Sequence, residues 1–540
     1  MSRLWLLLII GAYLVGACYQ LTLPGLHYDE AFEAVPALQL LTHQPVASFR
    51  QSELALFGQT FPLTTQDYIG ALNTYSALPF LALGGVNVIS LRAYSVFVGL
   101  LTLLLAYRFT TDLTGGRAAG LTAAALLAVN PTFLFWSRQG IFVTAITAAI
   151  GLGAAWSWLN WQRRKHYRFA LLGAFLLGLG VYAKLLFIWF MMALLGAFIL
   201  SQLKIVRRPN RNWPRFNLSG KQLFGLSLSF GLGCWPLILY NLQTGGSLKS
   251  IRDNAATSYY GVDNTDLLAN LGTRLSQFGA LLSSGHLWYL GRVYANQLLP
   301  IVFALALISS LWLGLKTKKV IWLIPFIILG LVVAQSVVTV SALWITHFAL
   351  IMVWPAIALA VSGTGLARHF KGQPWVKAAL GLMLALLIIS EARTSLNYHQ
   401  ALTLSGGLSA HSDAIYDLAG WLDQQPDRPV MAMDWGLAAP VTFLTAGRVT
   451  PREIFGYEWA ASDRFSELIA PYLAPKGAIF LWRAPEEIIF DRSPDFKALY
   501  RPLALEETIL AAFYERSGRP ILGATELVPA GTAKNKPVEP

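Results

Sequence analysis

The sequence is poor in charged residues and contains very little cysteine. Only 13% of its 540 residues are Asp, Glu, Lys or Arg, whereas 55% are hydrophobic, and an ordinary soluble domain carries about 25% charged residues. A soluble chain of this length cannot bury so much apolar surface. The two cysteines, Cys18 and Cys234, lie in apolar runs and have no zinc-ligand spacing. These shortages exclude a soluble globular enzyme and predict a polytopic membrane protein.

Several motifs of nucleotide, metal and hydrolase chemistry are also missing. The sequence has no GxxxxGK[ST], no GxGxxG, no nucleophile elbow and no HExxH, and its eight histidines show no close-spaced pair. We therefore expect no metal and no cofactor. The net charge of +13 does not indicate a nucleic-acid partner, because much of the Lys and Arg lies in short loops between apolar runs.

Apolar runs long enough to cross a bilayer recur along the chain. We predict about 11 transmembrane helices, over residues 4–23, 92–111, 118–135, 140–160, 169–184, 186–203, 222–241, 296–315, 320–340, 344–366 and 376–393. For the first run, a signal peptide or a lipoprotein cleavage before Cys18 is the alternative. With a cytoplasmic N-terminus, the basic loops at 163–165, 204–215, 316–319 and 368–377 all fall on the cytoplasmic side. We expect a multi-pass protein of the plasma membrane.

Two long loops, residues 24–91 and 242–295, then lie on the extracytoplasmic side of the predicted transmembrane domain, residues 1–395. In the first loop, residues 30–41 carry apolar side chains on one helical face, which predicts an amphipathic helix lying in the membrane interface. Residues 68–90 are apolar but interrupted by Pro and Gly, and they predict a second interfacial helix or a re-entrant segment.

The composition changes after residue 395. Alternating helical and strand patterns predict a small extracytoplasmic α/β domain over residues 396–522. The Pro-, Ala- and Lys-rich end, residues 523–540, predicts a disordered tail.

Asp29 and Glu30 follow directly after the first apolar run and form the most informative acidic pair. One explanation is capping, with Asp29 as the N-cap of the interfacial helix and Glu30 in its first turn, where the helix dipole favours acids. The other is catalytic, because a carboxylate at a low-dielectric surface can take a proton from an attacking hydroxyl or amine. The two explanations are compatible, since a capping residue is held rigidly.

Two cations lie on the side of the membrane where positive charge is uncommon. Lys184 ends the fifth predicted span after a Gly-rich helix, and Arg138 ends the third span. Each either snorkels to lipid headgroups or binds a phosphate, for which Arg offers a planar fork. At the same depth as the acidic pair, they predict a site for an anionic lipid.

His347, at the start of the tenth predicted span, is a further candidate. It is either a hydrogen-bonded helix-end residue or part of a substrate site. Arg92, His286 and Arg292 are weaker candidates of the same kind.

Several short motifs occur in a fixed order along the chain: Tyr28-Asp29-Glu30 after the first span, Asn130-Pro131 followed by Ser137-Arg138, Tyr182-Ala183-Lys184, and Tyr240-Asn241 before Gly245-Gly246. This order resembles that of the GT-C class membrane glycosyltransferases, in particular bacterial relatives of protein O-mannosyltransferase and lipid A aminoarabinose transferase. The likeness covers roughly residues 1–395. Relatives often carry an Arg beside an aromatic residue at the start of the late span, where this chain has Thr346-His347.

The resemblance implies transfer of a sugar from a polyprenyl-phosphate-linked donor to a protein, lipid or glycan acceptor on the extracytoplasmic face. It implies that Asp29 is the base, that Glu30 orients a substrate, and that Lys184 and Arg138 stabilise the leaving phosphate. Tyr28, His347 and Asn241 are the remaining substrate-binding candidates. The competing interpretations are a transporter or lipid-linked-sugar flippase without transferase activity, and a sensor whose outer domain binds a polymer.

Overall fold

The computed structural model describes residues 2–46, 48–202, 218–425, 427–455 and 462–532. The predicted basic loop 204–215 and the last part of the predicted tail, residues 533–540, lie outside these residues.

Up to residue 405 the described chain is mainly helical, and every predicted span contains a helix. The helices are α1 (Ser2–Cys18), α2 (Tyr28–Leu41), α3 (Leu72–Gly84), α4 (Val88–Thr114), α5 (Arg117–Val129), α6 (Pro131–Arg138), α7 (Gly140–Val143), α8 (Ile146–Arg164), α9 (Tyr167–Ala183), α10 (Phe187–Gln202), α11 (Gly220–Thr244), α12 (Gly246–Asp253), α13 (Leu267–Ser283), α14 (Leu298–Thr317), α15 (Ile324–Gln335), α16 (Trp354–His369) and α17 (Pro374–Ser405).

Length and apolar composition identify the helices that can cross a membrane. Among the residues that the structure describes, four single helices qualify (α4, α11, α14 and α17), as do two bent pairs: α5 with α6, and the 3-10 segment Ile345–Ile351 with α16. Four shorter apolar helices, α1, α9, α10 and α15, accompany them. The polytopic membrane fold is therefore confirmed, and the number of 11 spans stays a prediction.

The first loop is more structured than its sequence suggested. The two predicted helical segments are present as α2, which continues through Pro36, and α3. Between them lie two short antiparallel hairpins, β1 (Glu53–Leu56) with β2 (Gln59–Pro62), and β3 (Thr64–Gln66) with β4 (Ile69–Gly70). Strands this short have too few residues to show an alternating pattern.

The C-terminal part contains the predicted α/β fold. A five-stranded sheet has the order β6-β5-β7-β9-β8, with β5 parallel to β6 and β7 and the other pairs antiparallel. Its strands are β5 (Val430–Ala432), β6 (Arg452–Glu453), β7 (Ile479–Arg483), β8 (Leu505–Tyr514) and β9 (Pro520–Pro529). The helices are α18 (Ala414–Leu422), α19 (Ala438–Leu444), α20 (Ser462–Ile469) and α21 (Ser493–Tyr500).

Two predicted boundaries need correction. The tail was expected to be disordered from residue 523, but β9 continues to Pro529 because it pairs with both β7 and β8. The boundary predicted at residue 395 falls inside α17, which continues to Ser405.

The sheet domain and the first loop share a hydrophobic core. Ala439 and Phe443 of α19 are buried with Tyr28, Ala31 and Ala34 of α2. The C-terminal domain therefore packs directly on the helix that carries the acidic pair.

Candidate functional site

A cavity lies where α2, the β3–β4 hairpin, the turn after α7, the break between α9 and α10 and the segment between α15 and α16 meet. The volume of this cavity is about 100 Å³. Its charged and titratable lining groups are Asp29, Glu33, Lys184 and His347, with the tyrosines Tyr68 and Tyr260. Three predicted site residues, Asp29, Lys184 and His347, thus share one cavity.

Asp29 stands in the first turn of α2 with a rigid backbone. The N-cap is His27, not Asp29 as expected: His27 Nδ1 accepts from the Asp29 backbone N–H at 3.1 Å. Glu30 Oε1 closes the capping box by accepting from the His27 N–H at 3.4 Å. Because the histidine ring does the capping, the Asp29 carboxylate stays available.

The Asp29 carboxylate faces the cavity without a strong partner. Its side chain is 45% exposed, and the nearest basic atom within ion-pair range, His27 Nδ1, is 3.9 Å from Oδ2. Within the described chain no group donates a hydrogen bond to it. Desolvation raises the pKa of Asp29 to about 6, against the opposing effect of the Lys184 charge. Asp29 therefore has the properties of a base that titrates close to neutrality.

Lys184 enters the cavity from the break between α9 and α10. Its backbone is extended and forms an isolated β-bridge with Ile69, while the Leu185 N–H donates to the Tyr68 carbonyl at 2.9 Å. Lys184 Nζ donates to Thr144 Oγ1 at 3.3 Å. Since this ammonium lines the cavity, the snorkelling explanation does not describe its position.

Glu30 is buried next to the cavity instead of lining it. Arg92 donates two hydrogen bonds to the Glu30 carboxylate, from Nε to Oε2 at 2.9 Å and from Nη2 to Oε1 at 2.8 Å. Gln139 Nε2 donates to Oε1 at 3.0 Å. Arg92 also donates to the Pro24 carbonyl at 2.8 Å. In this structure Glu30 anchors α2 to α4.

Arg138 does not converge with Asp29 and Lys184, contrary to expectation. It is fully buried, and its Nη2 donates to the backbone carbonyls of Gln20 and, at 2.8 Å, Leu23. The chain just after α1 leaves carbonyls without helical partners, and the guanidinium at the end of α6 satisfies two of them.

Tyr28 and Asn241 also lie outside the cavity lining. Tyr28 is buried against Trp435, with ring centroids 4.7 Å apart. Asn241 Nδ2 donates to the Leu237 carbonyl at 2.8 Å and to Ser247 Oγ at 3.2 Å, which ties the end of α11 to α12. Both residues support the architecture around the site.

His347 lines the cavity but has both ring nitrogens engaged. Nδ1 accepts from Arg274 Nη2 at 3.2 Å, and Nε2 lies 3.3 Å from Ser341 Oγ. Arg274 is fully buried on α13 and also donates to the carbonyls of Ser336 at 2.9 Å and Trp344 at 3.0 Å. Sequence reasoning missed Arg274. The one hint in the sequence was that Thr346-His347 lacks the Arg that relatives carry beside an aromatic residue at this place. In the structure an arginine does reach His347, but it comes from α13.

Glu33 is the second cavity residue that sequence reasoning missed. Its spacing of four residues from Asp29 puts both carboxylates on one face of α2. Burial raises the pKa of Glu33 to about 7, against the lowering effect of a hydrogen bond from Asn73.

The weaker candidates lie apart from the cavity. His286 Nε2 is 2.9 Å from Thr132 Oγ1, and Arg292 stacks over Tyr294 at 5.8 Å. Among the residues that the structure describes, no group of three His, Cys, Asp or Glu side chains is arranged to hold a metal ion.

Comparison with known proteins gives one family match and several similar structures. The family described as dolichyl-phosphate-mannose-protein mannosyltransferase matches residues 74–215, which include Arg138 and Lys184. No curated protein matches the sequence.

The similar structures have low sequence identity but match over almost the whole chain. ArnT from Cupriavidus metallidurans bound to undecaprenyl phosphate has a TM-score of 0.61 at 12% identity, over 99% of this chain and 100% of that one. Its apo form has a TM-score of 0.58 at 12% identity, over 97% and 98%. The Archaeoglobus fulgidus oligosaccharyltransferase in the apo form has a TM-score of 0.52 at 14% identity, over 89% and 69%. The chain therefore has the membrane fold of the GT-C glycosyltransferases, and its resemblance to the protein mannosyltransferase and lipid A aminoarabinose transferase relatives is confirmed.

Proposed function

We propose that this protein transfers a sugar from a polyprenyl-phosphate-linked donor to an acceptor at the extracytoplasmic face of the plasma membrane. The observation that carries the proposal is that Asp29 and Lys184 line one cavity, although they are 155 residues apart in the sequence (184 − 29). The fold shared with ArnT, which has been crystallised with undecaprenyl phosphate, supports the lipid-phosphate class of donor.

Asp29 acts as the general base in this scheme. Its carboxylate takes the proton of the acceptor hydroxyl or amine as that atom attacks the anomeric carbon. The capping box fixes the backbone of Asp29 at the start of α2 without using its carboxylate oxygens. Glu30 contributes by fixing α2 through Arg92, so its effect on the reaction is indirect.

Lys184 stabilises the leaving group. As the bond between the anomeric carbon and the phosphate oxygen breaks, negative charge accumulates on the lipid phosphate, and an ammonium already in position stabilises that charge. Loss of one such electrostatic contact commonly lowers the rate by about 10²–10³-fold. The half-exposed rings of Tyr260 and Trp344 at the cavity give the sugar apolar faces to stack on.

The direct test uses the purified full-length protein in lipid nanodiscs. It is incubated with a panel of radiolabelled polyprenyl-phosphate hexoses and pentoses and candidate acceptors. We expect lipid-dependent transfer by the wild type and a loss of about 10²-fold or more in Asp29→Asn and Lys184→Ala. Asp417→Asn and Lys249→Ala, exposed residues away from the cavity, are the matched controls.

Two results would overturn the proposal. Transfer at the wild-type rate by a well-folded Asp29→Asn protein would remove Asp29 from the mechanism. Movement of a lipid-linked sugar across proteoliposome membranes, with no transfer to any acceptor, would favour a flippase.

A further inference from the structure

Glu33 is a cavity carboxylate for which the scheme above has no role. It follows Asp29 by one turn of α2, and both carboxylates line the same cavity as Lys184. Only 5% of Glu33 is exposed. A buried acid so close to a proposed anion site needs a chemical reason, because a second negative charge there opposes phosphate binding.

Two neighbouring residues hold Glu33 in a defined orientation. Asn73 Nδ2 donates to Glu33 Oε2 at 2.7 Å, and Tyr94 OH donates to Asn73 Oδ1 at 2.9 Å. The Tyr94 bond fixes which way the Asn73 amide points, so its N–H must face Glu33. Within the described chain no group donates to Glu33 Oε1. One carboxyl oxygen is therefore fixed by the protein and the other is available to the cavity.

The charge balance of the cavity determines which form of Glu33 suits a phosphate. The titratable groups that surround Glu33 are Asp29, Lys184, His347, Tyr68 and Tyr94. His347 Nδ1 accepts from Arg274, so the ring is neutral. Two ionised carboxylates and one ammonium leave one net negative charge, which repels an arriving phosphate. A protonated Glu33 removes that charge and adds a hydrogen-bond donor.

We propose that Glu33 is a second catalytic carboxyl group, which binds the donor phosphate as a neutral hydrogen-bond donor and passes its proton to the leaving phosphate. This inference rests on the proposed transferase function. Asp29 and Glu33 then act as a base and an acid on one helix face.

Each bond and proton in the step is accounted for. The acceptor oxygen or nitrogen bonds to the anomeric carbon while the bond from that carbon to the phosphate oxygen breaks with its electron pair. Asp29 gains the acceptor's proton, and a phosphate oxygen gains the proton of Glu33. Afterwards Asp29 releases its proton to solvent in the cavity, and Glu33 takes one up.

A binding experiment tests the neutral state of Glu33. The probe is a polyprenyl phosphomethyl diester, whose single charge does not change between pH 5 and pH 9 and which carries no sugar to transfer. Its affinity is measured in Asp29→Asn protein, so that Asp29 does not titrate. We expect affinity to fall about tenfold from pH 6 to pH 8.5. A tenfold change corresponds to a difference of about one unit between the pKa of Glu33 in the free protein and in the complex. Adding Glu33→Gln removes this pH dependence and retains affinity, because the amide carbonyl accepts from Asn73 and its NH₂ faces the probe.

A kinetic experiment tests the proton transfer. Glu33→Gln in the otherwise wild-type protein keeps the donor KM but lowers kcat by about 10²-fold, since an amide supplies no proton. The pH–rate profile of Glu33→Gln also lacks the decrease in rate on the alkaline side of the optimum. Glu486→Gln, an exposed acid outside the cavity, is the matched control and leaves both kcat and KM unchanged.

The two levels of the proposal fail in different ways. If the wild type transfers sugar but Glu33→Gln keeps full kcat, or if diester affinity is flat with pH, Glu33 has only a structural role and the transferase proposal stands. If the protein neither binds the diester at any pH nor transfers sugar, the proposed function itself is wrong.

Discussion

At the scale of single residues, the site is made from charged groups that the fold leaves without a full set of internal partners. The Asp29 carboxylate receives no hydrogen bond within the described chain, and the Lys184 ammonium has one hydroxyl neighbour. Glu30 differs, because Arg92 engages both of its carboxylate oxygens in the interior. Arg138 donates from Nη2 to two backbone carbonyls, while its buried Nε and Nη1 have no hydrogen-bond partner within the described chain. Sequence position alone did not distinguish the cavity residues Asp29 and Lys184 from the buried residues Glu30 and Arg138. All four residues stand at the ends of apolar runs.

The first prediction concerns the pH dependence of transfer. Asp29 works as a base only when ionised, and its pKa is raised to about 6. We therefore expect kcat/KM to fall about tenfold per pH unit below pH 6 and to pass through a maximum just above it, before the alkaline decline attributed to Glu33. A pH profile of initial rates with saturating acceptor checks this. An acid limb near pH 4, the ordinary range of an Asp fully surrounded by water, would contradict the proposed environment of Asp29.

At the scale of elements, α2 is positioned by contacts that involve no substrate. Its N-terminus is fixed by the His27–Glu30 capping box and by the Arg92 pair, in which both side chains are at most 1% exposed. A buried ion pair contributes little net stability, but losing one partner leaves an uncompensated charge.

The second prediction follows from that pair. Glu30→Ala should lower the free energy of unfolding by about 3–5 kcal/mol, because it leaves the buried Arg92 guanidinium without its counterion. The double variant Glu30→Leu with Arg92→Leu should be less damaging than the single change. Thermal unfolding in detergent, followed by tryptophan fluorescence, compares them. Equal stability of Glu30→Ala and wild type would show that the pair does not anchor α2.

The third prediction concerns the segment between α15 and α16, which supplies Ser341, Trp344 and His347 to the cavity. Arg274 holds this segment through two carbonyls and the His347 ring. Arg274→Ala should reduce donor binding and turnover about tenfold or more, because misplaced binding groups cost rate even when the chemistry is intact. Arg252→Ala, an exposed arginine on α12, is the control, and an equal loss in both variants would refute the positioning role.

At the scale of the whole molecule, the C-terminal domain supports the proposed site by packing on α2. Phe443 of α19 is fully buried in the core shared with Tyr28 and Ala31. A domain that only recruited a partner would not need to bury side chains against the helix that carries Asp29.

The fourth prediction tests this support. Phe443→Ala should cost about 3–5 kcal/mol of stability through the cavity that it creates, and transfer should fall while the domain remains folded. Ile509→Ala, an exposed position on β8, is the control. Unchanged transfer by a Phe443→Ala protein with confirmed loss of stability would separate the domain from the reaction.

The sequence was informative wherever one local signal decides the structure. Apolar runs of membrane length predicted the helices, and an amphipathic face predicted α2. Asp29 and Lys184 were found because charge beside such runs is unusual. Long-range partners were invisible: Arg274 reaches His347 across 73 residues and Asn73 reaches Glu33 across 40. The position of Arg138 outside the cavity was not predictable for the same reason, since its carbonyl partners lie more than 100 residues away.

The most direct measurement is an experimental structure of the full-length protein with a non-cleavable polyprenyl-phosphate sugar analogue. We expect the phosphate within about 3 Å of Lys184 Nζ, a hydrogen-bond distance, with the anomeric carbon facing the Asp29 carboxylate. A phosphate bound elsewhere, with no ligand atom between Asp29 and Lys184, would contradict the proposed catalytic site.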